Sequence, residues 1–457
     1  MKKILYTILT ILLVQFQNLY AQEVTTVAPT ESADTLTSTV SGMRSELDVL
    51  KRIKIGGYIQ TQFQYGDSTG AGTYAGGSFA QGIDKRFNVR RGRIKIQYDA
   101  PVNEKGISTS QYVLQFDVTE RGMTIKDAYG KFIDPWTGWF AITAGVQNRP
   151  FGFEVPFSSS QRESPERGRM SQILFPGERD MGAMLTIQGP KTTNWNWLKL
   201  EAGLFNGNGA PGPGGDVSDF DKQKDFIGHL TANRTNKDET IKYTLGASYY
   251  SGGFRIDTVN VYGKGVDING NSGFILTTNK NDVKNIDYGS RDYSKREYVG
   301  FDGAFNIDTK AGLTIIRAEY IMGKQPGASS ASKSPNSKDP IVADIYNRNF
   351  NGAYFYFIQS IMQSPWSVIA KYDWYDPNTD VKGDEIGKTI VSSNFKATNS
   401  GDLKYSTVGL GIAFRWDANV KLTAYYDMVT NETSKNLSYY THDVKDNVVT
   451  IRMQMKF

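Results

Sequence analysis

The chain ends on the segment that decides its fold, VTIRMQMKF at residues 449–457. Apolar side chains occupy the odd-numbered positions of this segment, and Thr450, Arg452, Gln454 and Lys456 occupy the even-numbered ones. Successive side chains of a β-strand point to opposite faces of the sheet. The alternation therefore predicts a strand with one apolar face and one polar face.

The same alternation recurs along the chain from residue 53 onward. It is clearest at residues 53–65, 112–118, 198–204, 368–374 and 408–416. Applied to the whole chain, the pattern predicts about sixteen strands. A water-soluble sandwich with an apolar interior and a transmembrane barrel with an apolar exterior both fit the alternation alone.

The segments between the predicted strands distinguish these two architectures. After even-numbered strands they are short, as at residues 134–138, 189–194, 235–238, 308–311 and 417–419. After odd-numbered strands they are long and polar, as at residues 66–85, 150–178, 206–221, 252–293, 324–346, 377–399 and 431–446, with a short exception near residues 120–122. This sorting predicts an all-β fold, a transmembrane antiparallel β-barrel with short periplasmic turns and long extracellular loops.

Aromatic residues support the barrel. Six tryptophans lie next to the predicted short turns, namely Trp136, Trp139, Trp195, Trp197, Trp366 and Trp416. This placement is typical of an aromatic belt at a membrane interface. The alternating strand that ends on Phe457 resembles the assembly signature of outer-membrane barrels, so we expect the outer-membrane assembly machinery to recognise that residue.

The N-terminus predicts export. Two lysines, Lys2 and Lys3, precede the apolar residues 4–14, and Ala21 offers a small residue for cleavage. We interpret residues 1–21 as a signal peptide, 22–51 as a flexible periplasmic segment and 52–457 as the barrel. The predicted location is the outer membrane of a double-membraned, Gram-negative bacterium, where the barrel contacts lipid.

Composition and motifs argue against several other functions. The formal net charge of +5 is too small to indicate nucleic-acid binding, and no cysteine is available for disulfides or thiolate chemistry. The two histidines, His229 and His442, have no serine and carboxylate set that the sequence can place around them. We therefore expect no catalytic residues, no metal site and no cofactor.

Four short motifs carry a family resemblance. They are NVRRGRIKIQY at residues 88–98, DAY at 127–129, QNRPFGFE at 147–154 and FPGERD at 175–180. Together they resemble the phosphate-selective porins O and P. The resemblance implies sixteen strands, a homotrimer, a third long loop that folds inward at residues 150–178 to constrict the pore, and arginines and lysines that select small anions such as phosphate.

The predicted pore-lining cations fall into three groups. Arg91, Arg93 and Lys95 share the polar face of one strand and predict a basic ladder. Arg162, Arg167 and Arg169 lie in the predicted constriction loop, with Arg149 and Arg179 at its edges. Arg317, Lys371 and Arg415 complete the predicted set, and pairs such as Arg317 with Glu319 or Lys371 with Asp373 are expected to stiffen the wall.

Two alternatives remain open at this point. The constriction loop also carries Glu154, Glu163 and Glu166, so its charges nearly cancel. A pore of mixed charge is typical of a general or carbohydrate porin. The long loops also allow a surface binding protein that the barrel merely anchors.

Overall fold

A computed structural model describes most of the chain. The described residues are 33–209, 219, 222–256, 260–276, 283–286, 291–335, 344–390 and 394–457. The predicted signal peptide lies outside them. The chain forms two units, one up to Lys51 and one from Arg52 to Phe457.

The first unit contains one helix, α1 (Ala33–Leu50). It lies within residues 22–51, which the sequence predicts to be a flexible segment, and the sequence did not predict a helix there. The segment is rich in serine and threonine, and its apolar residues form only a narrow stripe. The sequence pattern therefore gave no clear indication of a helix. Among the described residues, no helix is both long and apolar enough to cross a membrane.

The second unit is built almost entirely of β-strands. Short helical turns lie only in its connections, and they are α2 (Arg169–Leu174) and the 3-10 turns Gly383–Glu385, Ser400–Asp402 and Ser438–Tyr440. The strands are β1 (Ile53–Gly66), β2 (Lys85–Asp99), β3 (Ser110–Thr119), β4 (Gly122–Ile133), β5 (Phe140–Asn148), β6 (Arg179–Gln188), β7 (Leu198–Phe205), β8 (Asp225–Thr235), β9 (Ile241–Ile256), β10 (Val261–Val266), β11 (Ser272–Leu276), β12 (Val283–Ile286), β13 (Arg291–Thr309), β14 (Gly312–Gly327), β15 (Ile345–Ser360), β16 (Trp366–Asp376), β17 (Phe395–Lys396), β18 (Tyr405–Arg415), β19 (Val420–Asn431) and β20 (Val448–Lys456).

Sixteen of these strands form a closed antiparallel barrel. Each pairs with the next along the chain, with β10–β12 and β17 left out of the ring. The first strand pairs with the last, from Tyr58 opposite Lys456 to Gly66 opposite Val448. Closure gives each of the sixteen strands a hydrogen-bonded neighbour on both sides, so the ring has no open edge, as a membrane requires. The predicted fold is confirmed, including its strand number.

The two ends of the barrel differ as the sequence predicts. Short turns join β4 to β5, β6 to β7, β8 to β9, β13 to β14, β15 to β16 and β18 to β19, and the barrel's first and last residues lie at the same end. We call this the turn end. The opposite, loop end carries the long connections, apart from the two residues between β3 and β4.

The two faces of the wall also follow the predicted parity. In β20, Ile451 and Met453 are exposed on the outside, whereas Thr450, Arg452 and Gln454 are buried inside. Exposed apolar residues of the other strands repeat the pattern, with Trp136 and Trp416 exposed at the turn end. The barrel therefore has an apolar outer surface and a polar interior.

Two β-bulges interrupt this parity. The pairing of β1 with β2 skips Arg90, and the pairing of β3 with β4 skips Lys126. A bulge places an extra residue on one strand and turns its side chain away from the regular alternation. Both extra residues are cations, and both line the interior, as described below.

The four remaining strands belong to the loop end. β10 pairs with β11 and, in parallel, with the start of β15, while β11 pairs with β17. Tyr262, Phe274 and Tyr346 form a buried aromatic cluster between them. These connections therefore pack into a structured layer.

Candidate functional site: a cation-rich barrel interior

The segment 150–178, which we call the inner loop, lies against inward-facing side chains of the barrel. On one side, Gly152 donates from its backbone N–H to Ser248 Oγ at 2.9 Å. On the other, Gln60 and Gln454 donate to the carbonyl oxygens of Ser159 and Ser160, each at 3.0 Å. The inner loop is thus attached to widely separated strands and occupies the lumen.

Aromatic packing holds one side of the inner loop. Phe151 and Phe175 are fully buried, with ring centroids 4.9 Å apart. Both contact Tyr298 of β13 edge to face, at 6.3 and 5.8 Å. Gly300 leaves room for this contact, since a Cβ there would lie 2.8 Å from the Phe151 ring. We call the interior beside β9 and β13–β16 the packed half.

Ion pairs hold the other side of the inner loop against the wall. Glu166 of the inner loop accepts hydrogen bonds from Arg90 at 2.9 Å, Arg91 at 2.7 Å and Arg452 at 2.8 Å. Burial alone would raise the pKa of the Glu166 carboxyl, but these arginines outweigh burial and hold its pKa well below the usual range. One carboxylate therefore ties the inner loop to both β2 and β20.

A cavity of about 630 Å³ lies between the inner loop and β2–β4. Six cationic and three anionic side chains line it. The cations are Arg90, Arg91, Arg93, Lys126, Arg167 and Lys333, and the anions are Asp117, Glu166 and Glu178. We call this side of the interior the cavity half. Its lining has an excess of positive charge even when every carboxylate is ionised.

Two of these cations were missed by the sequence reasoning because strict alternation assigns Arg90 and Lys126 to the outer face. The bulges bring both inside. Lys126 also lines a second, smaller cavity beside the short connection between β3 and β4. Apart from the doubled arginine at positions 90 and 91, we find no signal in the sequence that could have revealed the bulges.

Most of the predicted site cations are paired with carboxylates. Arg93 binds Asp117 at 3.1 Å, and Arg149 binds Asp180 at 3.0 Å. Arg167 and Arg179 share Glu178, and Arg179 also binds Asp127 at 3.0 Å. Arg169 lies 3.7 Å from the centre of the Tyr405 ring and within 3.9 Å of Asp446. These contacts neutralise part of the predicted field.

The two wall pairs expected from sequence differ in outcome. Lys371 binds Asp373 at 2.8 Å, as expected. Arg317 does not pair with Glu319 but binds Glu163 of the inner loop through two nitrogens, at 3.1 and 3.2 Å. Glu319 instead accepts the backbone N–H of Glu154 at 3.0 Å. In both cases a residue of the inner loop is the partner.

Three predicted cations have no carboxylate partner among the described residues. Lys95 is half-buried on β2, below Arg93 in the ladder, and Arg415 is exposed at the turn end. Arg162 is buried in the inner loop, and none of its three guanidinium nitrogens has a hydrogen-bond partner. These groups are the least neutralised of the predicted set.

The histidines and carboxylates show no catalytic or metal-binding arrangement in the described ranges. His229 Nε2 lies 2.9 Å from Asp302 on the inner wall, and the nearest hydroxyl, that of Thr231, lies 3.4 Å from the ring. No group of three or more potential metal ligands was found in the described part of the chain. His229 and Asp302 form a side-chain pair within hydrogen-bonding distance between two strands of the wall.

No protein-family model and no curated protein matches this chain. Among solved structures, OprB of Pseudomonas putida is similar with a TM-score of 0.53 and 11% identity, over 92% of this chain and 97% of that one. The outer membrane channel DcaP of Acinetobacter baumannii gives 0.49 and 12%, over 89% and 97%. A trimer form of the outer membrane protein OmpT of Vibrio cholerae gives 0.46 and 11%, over 89% and 99%. At these identities the likeness concerns the fold, and the barrel resembles the outer-membrane porins of Gram-negative bacteria.

Proposed function

We propose that this protein is an outer-membrane diffusion channel that favours small anions. The observation that carries the proposal is the cavity between the inner loop and β2–β4, with its six cations and three carboxylates. A narrow passage with low-dielectric walls focuses the field of its lining charges and raises the local concentration of counter-ions. An excess of cations therefore favours anions.

Within this cavity, the groups that remain unpaired are lysines. The structure shows no hydrogen bond or ion pair to the ammonium groups of Lys126 and Lys333 among the described residues, whereas Arg91 and Arg93 bind Glu166 and Asp117. An ammonium without a carboxylate partner can offer its hydrogen-bond donors and its positive charge to a passing anion. Lys126 is thus the residue on which we expect selectivity to depend most.

Phosphate is the anion we propose to test first, because the motifs at residues 88–98 and 147–154 resemble the phosphate-selective porins O and P. A doubly charged oxyanion with several acceptor oxygens suits a wall that offers both lysine and arginine donors. Competition by phosphate against chloride conductance distinguishes phosphate preference from a general preference for anions.

The test is the reversal potential of the purified protein in planar bilayers under a potassium chloride gradient. The wild type should prefer chloride, and Lys126→Gln should reduce that preference. The matched control is Lys310→Gln, which removes a lysine from the exposed turn between β13 and β14, away from the cavity. A cation-preferring wild type, or equal effects of both variants, would contradict the proposal.

Aromatic rings in the same cavity favour a second candidate, a carbohydrate channel. Tyr74, Tyr405 and Tyr440 line the cavity. Aromatic faces provide apolar contact area for sugar rings, whose axial C–H groups are apolar. Liposome swelling separates the two candidates, since a carbohydrate channel admits neutral sugars faster than salts of small organic anions and an anion channel does the reverse.

We also propose that the barrel forms the homotrimer implied by the resemblance to the phosphate-selective porins O and P, and that the outer-membrane assembly machinery recognises its last residue, Phe457. The backbone of Phe457 exchanges two hydrogen bonds with Gly57 of β1, each 3.1 Å long, while its ring is exposed. The residue thus lies at the seam where the barrel closes. Deleting Phe457 should lower the yield of heat-modifiable barrel in the outer membrane, and an undiminished yield would contradict its assembly role.

A further inference from the structure

Helix α1 presents large apolar side chains to solvent. Met43, Leu47 and Leu50 are 59%, 52% and 62% exposed, and Val40 is 44% exposed. The helix also contains Gly42 and several threonines, which are poor helix formers. An isolated helix of this length and composition is marginal in water. Some partner that covers its apolar side would stabilise it.

The spacing of the apolar residues identifies the kind of partner. Val40, Met43, Leu47 and Leu50 follow each other at intervals of three, four and three residues, and Leu36 extends the pattern in the sequence. This is the a and d spacing of a heptad repeat, in which side chains of one helix fit between those of another. Among the residues of α1 whose burial is described, from Val40 to Leu50, Val49 is the one exposed large apolar residue off this stripe.

Charges flank the stripe in a complementary arrangement. With Val40 and Leu47 at a positions, Glu46 takes position g and Lys51 takes the following position e. These are the positions that form salt bridges between parallel helices of a coiled coil. Lys51 continues the helical hydrogen bonding through its N–H to Leu47, at 2.9 Å. Its present contact, 3.6 Å to exposed Asp48, is a surface pair that exchanges easily.

A membrane surface is a poorer match for the same helix. Helices that lie on anionic lipid carry lysines and arginines on their polar face. In α1 the polar residues are mainly serine and threonine, and Arg44 is outnumbered by the acids Asp34, Glu46 and Asp48. The charge pattern therefore favours another helix over lipid.

We propose that α1 forms a parallel coiled coil with α1 of neighbouring copies of this chain. Barrels enter a membrane in one orientation, and only Lys51 and Arg52 separate α1 from β1. Helices of neighbouring copies therefore run in the same direction. Tethering to barrels that already lie side by side raises their effective concentration, which makes a short coil stable. The coil rests on the proposed trimer, but not on anion selectivity.

Cysteine cross-linking of the full-length protein in proteoliposomes tests the coil, because the chain has no cysteine of its own. Met43→Cys places a thiol at position d, and Ser45→Cys places one at position f on the outside of the coil. After mild oxidation and full denaturation, Met43→Cys should yield several-fold more covalent dimer than Ser45→Cys. Adding Glu46→Lys to Met43→Cys should reduce the yield, and adding Lys51→Glu as well should restore it.

The opposite results overturn the coil. Equal cross-linking at positions 43 and 45, or none at position 43, contradicts it whether the barrels are single or associated. Bilayer recordings of both cysteine variants keep this result separate from the channel proposal. Anion-selective current without cross-linking would support the anion channel and contradict the coiled coil. Cross-linking without anion preference would support the coiled coil and contradict the anion channel.

Discussion

The packed half and the cavity half of the interior hold the same inner loop by different means. In the packed half, Phe151 and Phe175 are buried among aromatic rings of the wall. In the cavity half, Glu166 is held by three arginines beside open space. Apolar packing fixes a loop in place without exposing a binding surface, whereas a charge cluster both fixes it and creates a field. We infer that stability resides mainly in the first half and selectivity in the second.

The largest expected effect comes from emptying the packed half. Phe175→Ala removes a fully buried ring, which costs about 3–5 kcal/mol. Hydrogen exchange of the inner-loop amides should then accelerate about a hundredfold or more, since each 1.4 kcal/mol is a factor of ten. Phe305→Ala is the matched control, because it removes a phenyl ring from the outer face of β13. Similar exchange in both variants would show that the packed half does not hold the loop.

The next effect should come from the charge cluster. Glu166→Gln leaves three arginines without their carboxylate and should cost roughly 2–3 kcal/mol, less than for a fully buried pair because the cavity borders the site. It should also strengthen anion preference, since one negative charge leaves the cavity lining. The reversal potential and urea unfolding in lipid vesicles measure the two effects. An unchanged selectivity would mean that ions do not pass this cluster.

The pH dependence of the same cluster follows from the sign of its pKa shift. The pKa of Glu166 is held below its ordinary value of 4.5, so its contribution to stability is fully present above that value. It is lost only as the pH falls through the lower, folded-state pKa. Anion selectivity should therefore stay constant from about pH 7 to about pH 5 as far as Glu166 is concerned.

A smaller effect should come from narrowing the packed half. Gly300→Ala introduces a Cβ that would lie 2.8 Å from the Phe151 ring, so the ring must move. Overpacking of this kind costs about 1–3 kcal/mol. Gly303→Ala is the control on the same strand, since its Cβ would find its nearest side chain at an ordinary contact distance of 3.4 Å. Equal unfolding curves for the two variants would show that the Phe151 ring does not pack against Gly300.

The regular wall of the barrel could be predicted from the sequence, whereas the bulges and the charge partners in its interior could not. The strand number, the two faces and the sorting of turns and loops follow from residue-by-residue alternation, because a barrel in lipid enforces it at every position. Arg90 and Lys126 could not be placed, since a bulge depends on strand pairing and breaks the alternation. Charge partners were equally hidden: Arg317 binds Glu163 because a distant segment folds back into the lumen.

The smallest expected effect concerns Arg162. Unlike the variants above, its replacement should stabilise the protein. The guanidinium is buried and none of its three nitrogens has a hydrogen-bond partner among the described residues, so the nearby Glu154 and Glu166 carboxylates offset its desolvation only in part. Arg162→Met keeps an unbranched apolar stem and removes the charged guanidinium, which should raise the free energy of unfolding by roughly 1 kcal/mol. The control is Arg317→Met, which breaks a two-nitrogen pair with Glu163 and should lower it. If Arg162→Met also lowers stability, the Arg162 charge contributes favourably to the fold, and added phosphate that stabilises the wild type but not the variant would identify a bound anion as its partner.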